Sequence, residues 1–376
     1  MKGLLGRSLA ATSAAILIAG CGGSEAGSSG SGGSSSSSPA IGDVNDALIG
    51  ISCSDTAITL VALPAAGGPI AARRDIPLVD GVTPTFGCGS HPYAVRQIFN
   101  RDYTRMAVTI TNSSDRSRHV GYVNVDSGKV VDLNADSTGD FAAAAQNDSP
   151  VYDPASGNIW YLDRNESSGA VLQRVSPVKA VGPDGGPPTT VGSWGGDAFV
   201  IEGTSGNLTG FTSSKQLPLP NPSGTADAEY NSIRPSLSLQ TADEGKELLS
   251  IKGLDGLPST EERGLPARGT VPLAWVDDST LITATDISTT SNTTASAMQL
   301  FRFSDNLRSV LSTSPLIPDS DRTNVSPVVS PDHDSVIFIS GRGNTAGIYR
   351  VKISSDAVEP TPLPKTPVPA KLLEWR

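Results

Sequence analysis

The sequence predicts an all-β domain, on three observations. Turn-and-strand signals recur along most of the 376 residues, the two ends of the chain look like complementary parts of one recurring unit, and no long stretch carries an apolar period of 3.6. A recurring unit that closes on itself describes a ring of four-stranded blades, a single β-propeller. Seven blades fit the count, with six and eight as the neighbouring alternatives. Pairing of the N- and C-terminal strands is expected to close the ring.

The elements follow in chain order. "ALIGISCSDTAITLVALPAAGG" reads as later strands of a blade with no first strand before them. "RQIFNRDYTRMAVTITN" and then "HVGYVNVDSGKVVDLN" give a strand, a turn and two further strands. "SPVYDPASGNIWYLD" repeats the turn and second strand, and "GAVLQRVS" follows it. "TTVGSWGGDAFVIEG" and "SIRPSLSLQTADEGKELLSIKG" are weaker members. "VPLAWVDDSTLITATD" and "MQLFRFSDNLRSVLS" supply a full set of four. The clearest unit is Val325–Ser354. Ser326–Val329 is extended, and Ser330-Pro331-Asp332-His333-Asp334 is a turn, because proline fixes φ and aspartate bonds nearby amides. Ser335–Ser340 is a short β-branched strand, and Gly347–Ile353 alternates apolar and polar residues as a half-buried strand does. "KLLEWR" closes the chain as a first strand with nothing after it.

The Val325–Ser354 unit resembles the repeat of TolB-like propellers, roughly P-x-W-S-P-D-G-x-x-I-A-F-x-S followed by I-Y-x-V-D. Val329 stands at the Trp position and His333 at the Gly position. Taking the turn-side residue of each first strand as an anchor gives Phe99, Tyr152, Trp194, Leu237, Trp275, Val329 and Trp375. Their spacings are 53, 42, 43, 38, 54 and 46 residues, and a blade needs about 40–50.

The N-terminus carries an address. Lys2 and Arg7 precede a 12-residue small and apolar stretch, Leu9–Gly20, shorter than the roughly 20 residues a spanning helix needs. It ends Ile18-Ala19-Gly20-Cys21, which resembles the bacterial lipoprotein box. The resemblance implies a signal peptide over 1–20 and lipid on Cys21. Of the 19 residues Gly22–Ala40, 15 are Gly or Ser, so 21–40 reads as a lipidated cysteine with a flexible tether and 41–376 as the propeller. The implied location is the cell envelope, on the outer membrane facing the periplasm, or on the cell surface, in a Gram-negative cell. With Cys21 lipidated, Cys53 and Cys88 remain, and an exported domain is expected to pair them.

Charge and motifs restrict the chemistry. The chain has 28 basic and 38 acidic residues, and loss of Lys2 and Arg7 with the leader takes the formal charge from −10 to −12. This argues against nucleic acid as a partner. There is no G-x-S-x-G elbow, no H-E-x-x-H and no phosphate-cradling glycine loop ahead of a helix. His91, His119 and His333 fall in different parts of the repeat, so a histidine metal site is not expected. An all-oxygen Ca²⁺ site would draw on Asp277-Asp278 or Asp332 and Asp334, which read more simply as turns. Two polar insertions are candidate binding loops, Gly182–Thr190 with Asp184, and Thr285–Ala297 with Asp286 and Asn292. The sequence thus points away from an enzyme without deciding it. The expected function is a monomeric, membrane-anchored envelope scaffold whose TolB-like propeller binds a protein or peptide, with no cofactor. The alternative is a surface propeller that binds or cleaves glycans, with Ca²⁺.

Overall fold

The structure, a computed structural model, describes residues 39–133, 145–165, 175–202, 207–211, 218–231, 236–242, 246–252, 267–288, 294–342 and 345–376. The expected leader, Cys21 and all of the tether but Pro39 and Ala40 lie outside them.

After a 3₁₀ turn at Ile41–Asp43 the chain runs through β1 (Ala47–Cys53), β2 (Ala57–Pro64) and β3 (Ala72–Pro77). The second blade is β4 (Val82–Thr83), β5 (Arg105–Thr111), β6 (Arg118–Asn124) and β7 (Val130–Asp132), with a helix, α1 (Pro92–Gln97), between β4 and β5. The third is β8 (Asn147–Tyr152), β9 (Ile159–Asp163), β10 (Ser176–Val181) and β11 (Thr189–Trp194). A two-stranded sheet follows, β12 (Ala198–Glu202) with β13 (Asn207–Phe211). Then come β14 (Leu219–Pro220), β15 (Ala226–Asn231), β16 (Ser236–Thr241) and β17 (Glu247–Lys252). The next blade is β18 (Ala267–Asp277), β19 (Thr280–Ser288), β20 (Thr294–Phe303) and β21 (Val310–Pro315). It is followed by β22 (Thr323–Val329), β23 (Ser335–Arg342), β24 (Thr345–Lys352) and β25 (Thr361–Pro362). Finally β26 (Lys371–Trp375) pairs antiparallel with β1 and completes the first blade.

The fold is therefore an all-β single propeller. Among the described residues six blades have four strands. The expected count of seven is not met in full, since only the two-stranded sheet stands where a further blade was anticipated. Three further readings of the repeat are corrected. Trp194 ends β11, the outermost strand of its blade, and Leu237 lies in β16, the third strand of its own. Phe99 follows α1 and makes a lone bridge to Met106. The inner strand that Leu237 was taken to mark is β14. It is two residues long because Pro220 and Pro222 lack the N–H a ladder needs. Tyr152, Trp275, Val329 and Trp375 lie at or near the ends of the inner strands β8, β18, β22 and β26, as expected.

Ring closure is ordered residue by residue. Leu48 pairs with Trp375 and Gly50 with Leu372. Ala47 and Arg376 exchange backbone bonds of 3.0 and 2.9 Å, and Trp375 Nε1 donates to Asp46 at 2.8 Å. A bulge falls at Ile49/Gly50, and a Cβ on Gly50 would lie 2.6 Å from a side-chain carbon of Pro369, so the crossing of β26 over β1 requires glycine there. Leu48, Ile49, Ile51 and Leu372 are fully buried on the two faces of this blade. Neighbouring blades are also pinned by ion pairs. Arg74 holds Asp126 at 2.5 Å, and Asp148 of β8 receives Arg118 of the preceding blade at 3.0 Å, together with Arg164 of its own blade at 3.0 Å.

Candidate functional site: the mouth of the channel

The helix α1 is bonded to β12 on one side and to β26 on the other. The local sequence, His91-Pro92-Tyr93, starts a helix for stated reasons. Pro92 occupies the first helical position, where its missing N–H costs nothing, and His91 Nδ1 accepts the Tyr93 N–H at 3.3 Å. The helix is then fastened on two sides. Gln97, buried, donates through Nε2 to the Ile201 carbonyl at 2.6 Å and accepts the Ile201 N–H at 2.8 Å. Tyr93 Oη donates to the same carbonyl at 2.6 Å. On the other side Arg96 holds Glu374 of β26 at 2.5 Å and stacks 4.5 Å from the Tyr103 ring centre.

Two clefts flank the start of this helix. The larger, about 540 Å³, is lined by Pro272 and Leu273 of β18, Val325–Pro327 of β22 and Lys371 of β26, and by the segment from Thr85 to Pro92. The smaller, about 330 Å³, is lined by later residues of the same three strands: Ala274 and Trp275, Val328 and Val329, Leu373 and Glu374. His91, Pro92, Leu273 and Pro327 belong to both. The helix start is thus the floor of the larger cleft.

The walls of that cleft are shaped by irregular strands. β18 shifts register between Pro272 and Ala274, and β22 shifts between Val325 and Val328. Each bulge removes residues from the ladder and redirects their side chains. At β22 the deviation is local and strong, because Ser326 has φ 51°. The same Ser-Pro device occurs in β8, where Ser149 has φ 56° and register shifts between Asp148 and Val151. Asn147–Tyr152 and Asn324–Val329 are accordingly one inner-strand motif used twice.

The cleft's remaining wall is held covalently. Cys53, at the end of β1, is bonded to Cys88, with Cα atoms 5.9 Å apart. Cys88 lies between the lining residues Phe86 and Gly89. The pairing expected from the sequence thus fixes the segment that leads into α1.

Electrostatically the cleft is simple. Burial, together with the neighbouring Lys371 charge, pushes the pKa of His91 down to about 4, so its ring is neutral at pH 7. Burial also holds Lys371 below the usual lysine range.

The other sequence candidates lie elsewhere. Asp184, 87% exposed, sits 3.3 Å from Arg105 of the second blade, and Arg105 also donates to the Pro183 carbonyl at 2.7 Å. That insertion is folded back onto the ring and lines neither cleft. Asp286 is a strand residue paired with Ser296 in the hairpin β19 to β20, and residues 289–293 of that insertion lie outside the described residues. Thr and Ile suit strand geometry, which a reading of polarity alone misses. Asn292 lies outside the described residues. His119 is fully buried and bonded to Asp132 at 2.9 Å, a satisfied core histidine. The acidic turns already have hydrogen-bond donors. Asp277 accepts the Ser279 N–H at 2.8 Å, Asp278 accepts that of Ser223 at 2.8 Å, and Asp332 accepts from Ser330 Oγ and Asp334 N, which lowers its pKa. Among the described residues no group of three or more His, Cys, Asp and Glu is placed to hold a metal ion.

What the sequence reading missed is α1, and with it His91 and Lys371 as cleft residues. A six-residue helix is too short to show a period. Its one local signal was Pro at the first helical position.

No family model and no curated protein sequence matches the chain. Similar solved structures include a prolyl endopeptidase, at 11% identity and a TM-score of 0.39. It is covered over 86% of this chain but only 44% of its own. A protein from Lactobacillus plantarum aligns at 12% identity and a TM-score of 0.41, over 84% of this chain and 97% of that one. TolB from Acinetobacter baumannii aligns at 12% and 0.32, over 83% and 67%. The assignment of the fold rests on the strand pairing described above.

Proposed function

We propose that this chain is a lipid-anchored cell-envelope protein whose propeller binds a peptide segment of a partner protein at the mouth of its channel. One observation carries the reading. A 540 Å³ cleft with apolar walls opens between bulged inner strands, on a floor fixed by α1 and the Cys53–Cys88 bond. Rigid concave sites of about 300–1,000 Å³ with few polar groups are where ligands bind. Backbone groups released from a ladder are available to an incoming strand.

The test compares the wild-type chain with Leu273→Glu, which puts a charge on the apolar wall. A partner retained by wild type, lost by the variant and indifferent to chelator supports the reading, provided circular dichroism shows the variant folded. A partner retained equally by both contradicts it. Anchoring is tested apart, by fatty-acid labelling of the full chain and of Cys21→Ser. Label on the wild type alone supports the anchor, and label on neither contradicts it.

A further inference from the structure

We propose that the channel mouth captures the free C-terminal carboxylate of its peptide ligand, with Lys371 as the positive contact and His91 as a neutral hydrogen-bond donor. This rests on the reading that the cleft binds a peptide. Three observations lead to it.

The first is the fixed helix start at the inner end of the cleft. Along β18, β22 and β26 the residues lining the larger cleft precede those lining the smaller, and His91, Pro92, Leu273 and Pro327 line both. The helix is held by Gln97, Tyr93 and Arg96, on both β12 and β26. A chain entering from the mouth therefore meets a helix start that is bonded in place. What reaches the floor is a chain end or a side chain.

The second is the sign of the site. Among the described residues Lys371 is the one formally charged residue lining the larger cleft, and its ammonium makes no ion pair or hydrogen bond with them. It is half-buried at the first position of β26, opposite Ile51. A domain with an acidic excess has many carboxylates that could have neutralised this lysine, yet among the described residues none lines the cleft. A desolvated, unpaired cation attracts an anion far more strongly than an exposed one does.

The third is the state of His91. Its Nδ1 accepts the Tyr93 N–H, so the proton of the neutral ring sits on Nε2, for which the described residues supply no acceptor. The floor therefore offers an N–H donor beside a cation, and Ser90 and Ser326 add hydroxyls to the same lining. A cation and an N–H donor, with hydroxyls that can also donate, match a carboxylate, and the cation repels an α-ammonium. A C-terminal carboxylate fits better than an Asp or Glu side chain. It arrives on the end of an extended backbone, whose preceding amides meet the groups freed by the β18 and β22 bulges, and whose apolar side chains meet Leu273 and Val325.

The experiment titrates the full chain with a pool of N-acetylated apolar hexapeptides, each made as the free acid and as the C-terminal amide, and reads binding by native mass spectrometry. The proposal predicts that acids bind at least tenfold more tightly than their amides. Lys371→Met should remove that preference and Lys371→Arg should keep most of it. Equal binding of acids and amides by the wild-type chain would overturn the carboxylate site while leaving peptide binding standing. Binding of neither form would overturn both. If Lys371→Met does not fold, the acid–amide ratio of the wild-type chain decides alone.

Discussion

His333 shows how one residue can be read from both sequence and structure. It fills the turn position at which the TolB-like repeat has Gly, and in the structure it holds φ 62°, a left-handed backbone that costs an L-residue about 1 kcal/mol. His333→Gly is therefore expected to stabilise the domain by about 0.5–1 kcal/mol in urea unfolding, with no change in ligand binding. His91 leads to a pH prediction of opposite character. Its pKa falls from 6.5 to about 4 on folding, because burial and Lys371 disfavour the charged ring. The unfolded chain thus binds a proton that the folded chain refuses. The contribution is complete above pH 6.5, erodes as pH falls, and is fully lost near pH 4, where the folded ring also protonates. About 2 kcal/mol is expected over that window, allowing for the ring's partial exposure. Unfolding curves of wild type and His91→Gln between pH 7 and 4 check this: the variant should lose less stability on acidification than the wild type does.

At the scale of elements, α1 is the decisive one, because its start lines both clefts. Its position depends on the two-way amide contact of Gln97 with Ile201 more than on helix propensity, since so short a helix has no independent stability. Gln97→Leu keeps the volume but leaves the Ile201 N–H without a partner, a loss of about 2–3 kcal/mol. Tyr93→Phe, which leaves that carbonyl its Gln97 donor, should cost about 1 kcal/mol. The order of these two, measured in one denaturant series, checks which contact anchors the helix. Elements also show what the sequence could and could not disclose. β23 and β24 were legible because alternation and β-branching agree with a turn whose residues leave no other choice. β14 was hidden because Leu-Pro-Leu-Pro-Asn-Pro reads as loop. Trp194 misled because an aromatic at the right spacing marks a strand without saying which strand of the blade it is. The Cys53–Cys88 bond was legible from cysteine number and the expectation of export, but its role as a wall of the cleft was not, since nothing near Cys88 in the chain announces Leu273 or Lys371.

For the whole molecule, closure of the ring by β26 is the property on which the rest depends. The complementarity of "KLLEWR" and "ALIGIS" disclosed it, because a strand that starts no blade and a blade that lacks a first strand have one mutual solution. Removing residues 371–376 would expose the edge of β1 and uncover Leu48 and Ile49, which are fully buried. The truncated chain is expected to lose cooperative unfolding and to aggregate, and scanning calorimetry with light scattering checks this. The channel mouth is formed jointly by strands from three blades, so its polarity could not be read from any one stretch of the chain. Of the insertions that polarity singled out, Asp184 lies against Arg105 and Asp286 in the β19–β20 hairpin, and neither residue lines the clefts. The central claim, that partners meet this molecule at the channel mouth, is tested most directly by site-specific photocrosslinking in the native cell. A photoreactive side chain is placed at Leu273 in the cleft or at Leu311, which is 69% exposed on the outer strand β21. The account predicts a discrete adduct from position 273 and none from 311. Adducts from 311 alone would contradict it.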